Sequence, residues 1–287
     1  MAAAGDEAHG KSDPVGAARD ARDAAGKRFG AARDAAEDRF GHARDAAEER
    51  FGHARDAAGE RFGAARDAAA DVAQRIPKPR LRGVSHQWAF FVSLLAGAAL
   101  VVAAQGSREV VAVSIYAFAL SALLGTSALY HRVTWQPGTR RWMRALDHTM
   151  IFVLIAGTYT PFALLVMSGT LADVILVVVW TSALGGAILN LAWWNAPKWF
   201  TAGVYLSTGW AALAAMPQLW EKIGPVAVGL LALAGALYTA GAVVYARRSP
   251  DPNPEVFGYH EIFHLLVIAA AAINYAVVAL YALPHPG

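Results

Sequence analysis

His260 and His264 stand four residues apart, and so do Ser127 and His131. On a helix, positions i and i+4 lie one above the other, so two imidazoles so placed project from one face and can grip one metal ion. A third imidazole, from His131, would complete a three-histidine site with one open coordination position, the arrangement of catalytic zinc. The Asp147 carboxylate would then hold and deprotonate a water whose pKa zinc lowers to about 7. The Ser127 hydroxyl would orient a ligand or donate to a developing oxyanion. An HxxxH pair on a soluble helix is more often an ordinary surface or core feature. Its weight depends on the segments that carry it.

Those segments are apolar. Residues 1–82 hold 16 of the 25 Lys/Arg and 15 of the 22 Asp/Glu, leaving 9 and 7 for residues 83–287, which also contain all nine Trp and all nine Tyr. A soluble domain is about one-quarter charged, so the second region is not an ordinary water-soluble globule. From Trp88 onward, runs near the roughly 20 residues needed to cross a bilayer core follow one another. Seven are read: Trp88–Ala104, Val110–Tyr130, Ala145–Met167, Leu171–Trp193, Trp199–Trp220, Pro225–Ala246 and Phe257–Leu283. Polar breaks separate them, among them Asn195-Ala196-Pro197-Lys198, Glu221-Lys222 and Ser249-Pro250-Asp251-Pro252. Trp88, Trp142, Trp193, Trp199 and Trp220 near span ends fit interfacial belts. No signal peptide is visible, and the first span is expected to act as its own insertion signal. The absence of Cys excludes disulfides, cysteine zinc fingers, iron–sulfur clusters and thiol catalysis. Basic residues are balanced locally or flank apolar runs, so a pI near 9 does not point to nucleic acid.

Counting Lys and Arg beside the spans sets the orientation. The side bearing the N-terminus has Lys78, Arg80, Arg82, Arg132, Arg140, Arg141, Arg144, Lys198, Arg247 and Arg248, against Arg108 and Lys222 opposite. The N-terminus is therefore expected in the cytoplasm and the C-terminus outside, in a multi-pass protein of the cell membrane. That topology brings Ser127 and His131 at the end of the second span to one depth with Asp147 and His148 in the first turn of the third, and with His260, Glu261 and His264 at the start of the seventh. Ionisable groups inside spans are expensive and mark functional sites by default. Their convergence from three distant segments outweighs any single motif.

Other polar residues are read more plainly. His148 points about 100° away from Asp147, as an interfacial or supporting group. Glu261 leaves the His260/His264 face, as a partner for Arg247 or Arg248 or a headgroup contact. His86 precedes the first span at the interface, and His285 lies in the external tail. Asn190 and Asn274 are expected to bond between helices. Pro161 should kink the third helix while Thr158 and Thr160 cover freed backbone groups, and Gly185-Gly186 should permit close helix approach.

The charged region, residues 1–82, is a repeat. Arg-Asp-Ala-Ala recurs at Arg22, Arg33, Arg44, Arg55 and Arg66, and Arg-Phe-Gly recurs at Phe29, Phe40, Phe51 and Phe62. An 11-residue period is close to three helical turns. Phenylalanine and two alanines of each unit form a narrow apolar stripe, arginines flank it, and the acids lie beyond, with His42 and His53 solvated on the polar side. This suits a cytoplasmic amphipathic helix lying on an anionic membrane surface. A right-handed coiled coil, giving an oligomer through the repeat, and a partly disordered tail are the alternatives, since Gly30, Gly41, Gly52 and Gly63 weaken a helix. Ile76-Pro77-Lys78-Pro79 should end it.

Ser127-Ala-Leu-Tyr-His131, the run from Asp147 to Pro161, and Phe257-Gly-Tyr-His-Glu-Ile-Phe-His264 together resemble the bacterial hemolysin III family, related to the progestin and adipoQ receptors and more distantly to alkaline ceramidases. The resemblance covers residues 83–287 and three motifs in order. It implies an all-α, seven-transmembrane-helix bundle with an N-in arrangement. It also implies a zinc site near the cytoplasmic side with His131, His260 and His264 as ligands and Asp147 and Ser127 beside it. The function expected first is a zinc-dependent membrane hydrolase acting on a lipid amide or ester bond. A receptor-like or sensor protein with structural zinc is the second, and a pore-forming cytolysin the third. Few spans carry the continuous polar stripe that a pore would need.

Overall fold

The computed structural model describes residues 14–75, 79–193 and 196–284; the expected helix stop at Ile76–Lys78, Asn195 and His285 lie outside them. The described residues are mostly helical, joined by short turns, with an isolated bridge between Asn253 and Phe257. It divides into two compact units, Met1–Ile76 and Pro77–Gly287.

The first unit holds one helix, α1 (Pro14–Arg75). Gly30, Gly41, Gly52 and Gly63 all lie inside it. Arg33–Glu37 and Arg44–Glu48 form i,i+4 ion pairs that support a solvated helix by a few tenths of a kcal/mol each. The four phenylalanines of the stripe are 77–83% exposed.

The second unit contains six helical runs long and apolar enough to cross a bilayer. They are built from α2 (Val84–Ala103), α3 (Ser107–Arg132), α4 (Pro137–Pro161), α5 (Thr170–Ala192), α6 (Lys198–Gly209), α7 (Met216–Arg247) and α8 (Tyr259–Val277). Helix α3 is well enclosed: Ala112, Val113, Tyr116, Ala119, Leu120 and Leu123 fall at helical spacing and are all buried. It packs against α2 and α4, α5 packs on α4, and α8 closes on α7 and α2. With water excluded from a bilayer, interhelical hydrogen bonds are worth keeping. Ser93 meets Ser121 at 2.9 Å, and Tyr275 donates to the carbonyl of Ala96 at 3.0 Å. Asn190 donates to Thr149 between helices as expected, and Asn274 lies beside Tyr238.

Three expectations need correction. The proposed break at Glu221-Lys222 lies inside α7, and the chain departs from helical geometry instead at Gly224 (φ 80°, ψ 171°), ahead of Pro225. A left-handed φ suits glycine, and proline cannot donate the hydrogen bond that would continue the previous turn. The runs read as fifth and sixth spans therefore meet at Gly224, inside a 49-residue helical stretch, Trp199–Arg247, that also holds a 3-10 segment at Trp210–Ala215. Helix α4 begins at Pro137, not Ala145, which puts Asp147 in its third turn. Pro favours a helix's first turn, and the Arg-rich start is a wet extension of the apolar span. Of the Gly185-Gly186 pair only Gly186 makes the close approach, where an added Cβ would strike the Phe152 ring. After Pro161 the chain widens into a π turn, Phe162–Val166. Thr158 and Thr160 donate to the carbonyls of Leu154 and Ala156 rather than to Gly157, whose partner the proline removes.

Candidate functional site

Helices α3 and α8 bring the sequence-predicted ligands together. His131 occupies the last turn of α3, and His260 and His264 the first two turns of α8. A nitrogen from each of the three imidazoles lies within 4.8 Å of the others, and Nε2 of His131 and Nε2 of His260 face each other at 3.1 Å. Tetrahedral zinc holds imidazole nitrogens at about 2.0–2.1 Å, so three ligands sit roughly 3.3 Å from one another. The observed cluster is near that spacing. His264 is buried, and its Nδ1 has no hydrogen-bond partner. An orphaned nitrogen in a cluster of neutral donors is what a cation site requires, and the set fits zinc.

Asp147 and Ser127 complete the expected constellation. Ser127 is buried on α3, one turn before His131, and faces the Asp147 carboxylate. His148 is not among the clustered ligands: its Nδ1 contacts the Arg144 carbonyl at 2.8 Å and its Nε2 the Tyr245 hydroxyl at 3.3 Å. It supports α4 against α7.

The segment before α2 contributes more than the sequence suggested. Backbone N–H groups of Arg80 and Leu81 donate to the carbonyls of Glu255 and Val256, fastening this segment to the turn that precedes α8. Gly83 turns the chain with φ 78°, and an added Cβ there would meet Cβ of His131 at 2.7 Å. Arg82 forms a close ion pair with Glu261. Glu261 is therefore neither a partner of Arg247 or Arg248 nor a headgroup contact: it is 2% exposed, binds Arg82, and accepts the Gly258 N–H at 2.8 Å to cap α8. His86, expected at the membrane interface, is enclosed by protein. It is 2% exposed, and its ring stacks on His264 with centroids 3.8 Å apart and planes 11° from parallel. The signal for His86 lay in the depth argument itself, since the start of the first span falls at the same end as His131 and His260. Nothing in spacing pointed to Arg82.

A cavity of about 440 Å³ opens from this cluster. His86, Ser127, Asp147, His260 and His264 line its polar end; His131 is the ligand candidate that does not. The remaining wall is mostly apolar, with Leu154, Phe162, Met167, Leu219, Val228 and Val267, and also carries His148, Tyr238, Tyr245 and Asn274. From Asp147 to Phe162 along one helix is about 22 Å at 1.5 Å per residue, most of a bilayer's hydrocarbon thickness.

The sequence profile of haemolysin-III-related proteins matches residues 74–275. The chain is 32% identical over 178 residues to a hemolysin-3 homolog of Bacillus subtilis, covering 62% of this chain and 80% of that one. It is 32% identical to hemolysin-3 of Bacillus cereus, covering 62% and 78%, and 27% identical to the human monocyte to macrophage differentiation factor, covering 60% and 71%.

Proposed function

This chain belongs to the haemolysin-III-related family, and we propose that it is a zinc-dependent membrane hydrolase cleaving an amide or ester bond of a lipid. The observation that carries the proposal is that a three-imidazole cluster, through His260 and His264, borders a largely apolar cavity. Pockets of 300–1,000 Å³ are of ligand size, and an apolar wall with a few polar groups at one end suits an acyl chain with its carbonyl at the histidines. Bound by His131, His260 and His264, zinc supplies Lewis acidity toward a carbonyl oxygen. Asp147 is the general base that takes a proton from attacking water and returns it to the leaving amine or alcohol. Ser127 orients that carboxylate and donates toward the developing oxyanion, while the apolar wall seats the acyl chain.

In the same proposal the bundle has seven crossings with this site at its cytoplasmic end. The starts of α2 and α8 lie together, as the His86–His264 stack requires. An even number of crossings must therefore separate them. Helices α2 to α5 account for four, so Trp199–Arg247 supplies two, reversing around Gly224. The ten-to-two excess of Lys and Arg favours N-in. The exposed phenylalanines of α1, flanked by arginines, favour its lying on the inner leaflet.

A second reading makes zinc a structural staple of a receptor-like protein, favoured by the burial of His131 and His264. The two are separated by incubating the purified protein with N-acyl and O-acyl lipids, and measuring free fatty acid and thermal stability with and without a chelator. The hydrolase proposal expects zinc-dependent fatty acid release by wild type and its loss in Asp147→Asn. Release from no lipid, with a large loss of stability on chelation, would establish the staple instead.

A further inference from the structure

Four imidazoles meet in one cluster beside the cavity, and three suffice to hold an ion. The fourth, His86, cannot ligate the same cation as His264. An imidazole lone pair lies in the ring plane, and two nearly parallel rings 3.8 Å apart do not share an in-plane point. His86 is 98% shielded, its residual exposure being 2%, and neither ring nitrogen makes a hydrogen bond of ordinary geometry, with the backbone of His264 beside the ring. A neutral imidazole carries one N–H donor and one acceptor, and each left unmade in a buried site costs about 1–3 kcal/mol. Buried polar groups of this kind have a partner. Ser127 and Asp147 line the same end of the cavity and already face each other, and His264 offers His86 its ring face. His86 itself lines the cavity, so an occupant there can meet the ring nitrogen that the His264 backbone does not.

We propose that His86 is a substrate-binding residue: its ring N–H donates to an oxygen of the polar group of an acyl lipid seated in the cavity, while its face braces His264. The inference rests on the hydrolase reading only in taking the occupant to be an acyl amide or ester. It gives the site a polar contact that is neither a metal ligand nor the base, and so a determinant of which headgroups are accepted. Sugar or phosphate groups too bulky to let an oxygen reach His86 would be bound less well than a small amide.

The test separates nitrogen from ring face. Binding of N-oleoylethanolamine is measured in an Asp147→Asn background, where turnover does not consume the probe, together with zinc content. His86→Phe keeps a flat ring on His264 and removes the donor; His86→Gln restores a donor near the Nε2 position and removes the ring. The expected result is an affinity about tenfold lower for His86→Phe, equivalent to about 1.4 kcal/mol, with zinc unchanged, and recovery to within about threefold for His86→Gln. Parent-like binding by His86→Phe would overturn the proposal, and so would zinc loss from that variant or equal weakening in His86→Gln. If the Asp147→Asn parent, zinc-loaded, binds no acyl amide or ester at all, the hydrolase reading itself fails and this inference with it.

Discussion

Histidine means different things in the two units. In α1, His42 and His53 are exposed, and His53 has only an i,i+4 glutamate, Glu49, at 3.8 Å for company. In the bundle, His86, His131 and His264 are buried, and with His260 they make ring contacts with one another. The side chain is the same; what differs is desolvation. An exposed imidazole exchanges its partner for water at little cost, whereas a buried one must have each nitrogen met, so a cluster of them has to be explained by what they hold. The repeat repays this with tolerance. Its interactions are short-range ion pairs and a stripe of unpartnered phenylalanines, none of which depends on another at a distance.

Substitutions should therefore fall into two classes, and the sharpest test of the contrast is the base. Asp147→Asn is expected to leave zinc bound and lower lipid turnover by about 10²–10⁴-fold, measured as fatty acid release at saturating substrate. Unchanged turnover would remove Asp147 from the chemistry. Next in size, Glu261→Gln keeps an acceptor for the Gly258 N–H but leaves Arg82 charged and unpaired, so a loss on the order of 3 kcal/mol is expected in thermal or denaturant unfolding. Gly186→Ala should cost about 1–3 kcal/mol by pushing on the Phe152 ring, while Gly185→Ala, which meets open space, should be near neutral. Smallest of all, Phe40→Ser in α1 should change bundle stability by less than about 0.5 kcal/mol. The same change should weaken binding of the full chain to anionic vesicles. A large stability loss from it would mean that the stripe is covered, contrary to its 78% exposure.

Much of this was legible in the sequence because it depended on period and depth. Two residues per helix at i and i+4, together with a parity of crossings, are enough to predict that His131, His260 and His264 share one end of a bundle, and the cluster is there. The five tryptophans placed in interfacial belts are all exposed. What was not legible depended on contacts between segments without periodic signal. The Arg82–Glu261 pair joins residues 179 positions apart, and the strap from Pro79 to Gly83 reads as an ordinary basic flank until its backbone bonds to Glu255 and Val256 are seen. The start of α4 was misplaced because hydropathy marks where a helix enters lipid, and α4 continues eight residues beyond that into polar surroundings. The Glu221-Lys222 break was two residues early for a related reason: charge interrupts hydropathy without interrupting a helix, and the backbone changes course at Gly224.

The central claim is that one cation is held between α3 and α8. Elemental analysis of detergent-purified protein tests it most directly, with wild type, His260→Ala and Asp147→Asn compared after each is shown to be folded by circular dichroism. The account predicts close to one zinc per chain in wild type and in Asp147→Asn, and almost none in His260→Ala. Equal zinc in wild type and His260→Ala, or none in folded wild type supplied with the metal, would contradict it.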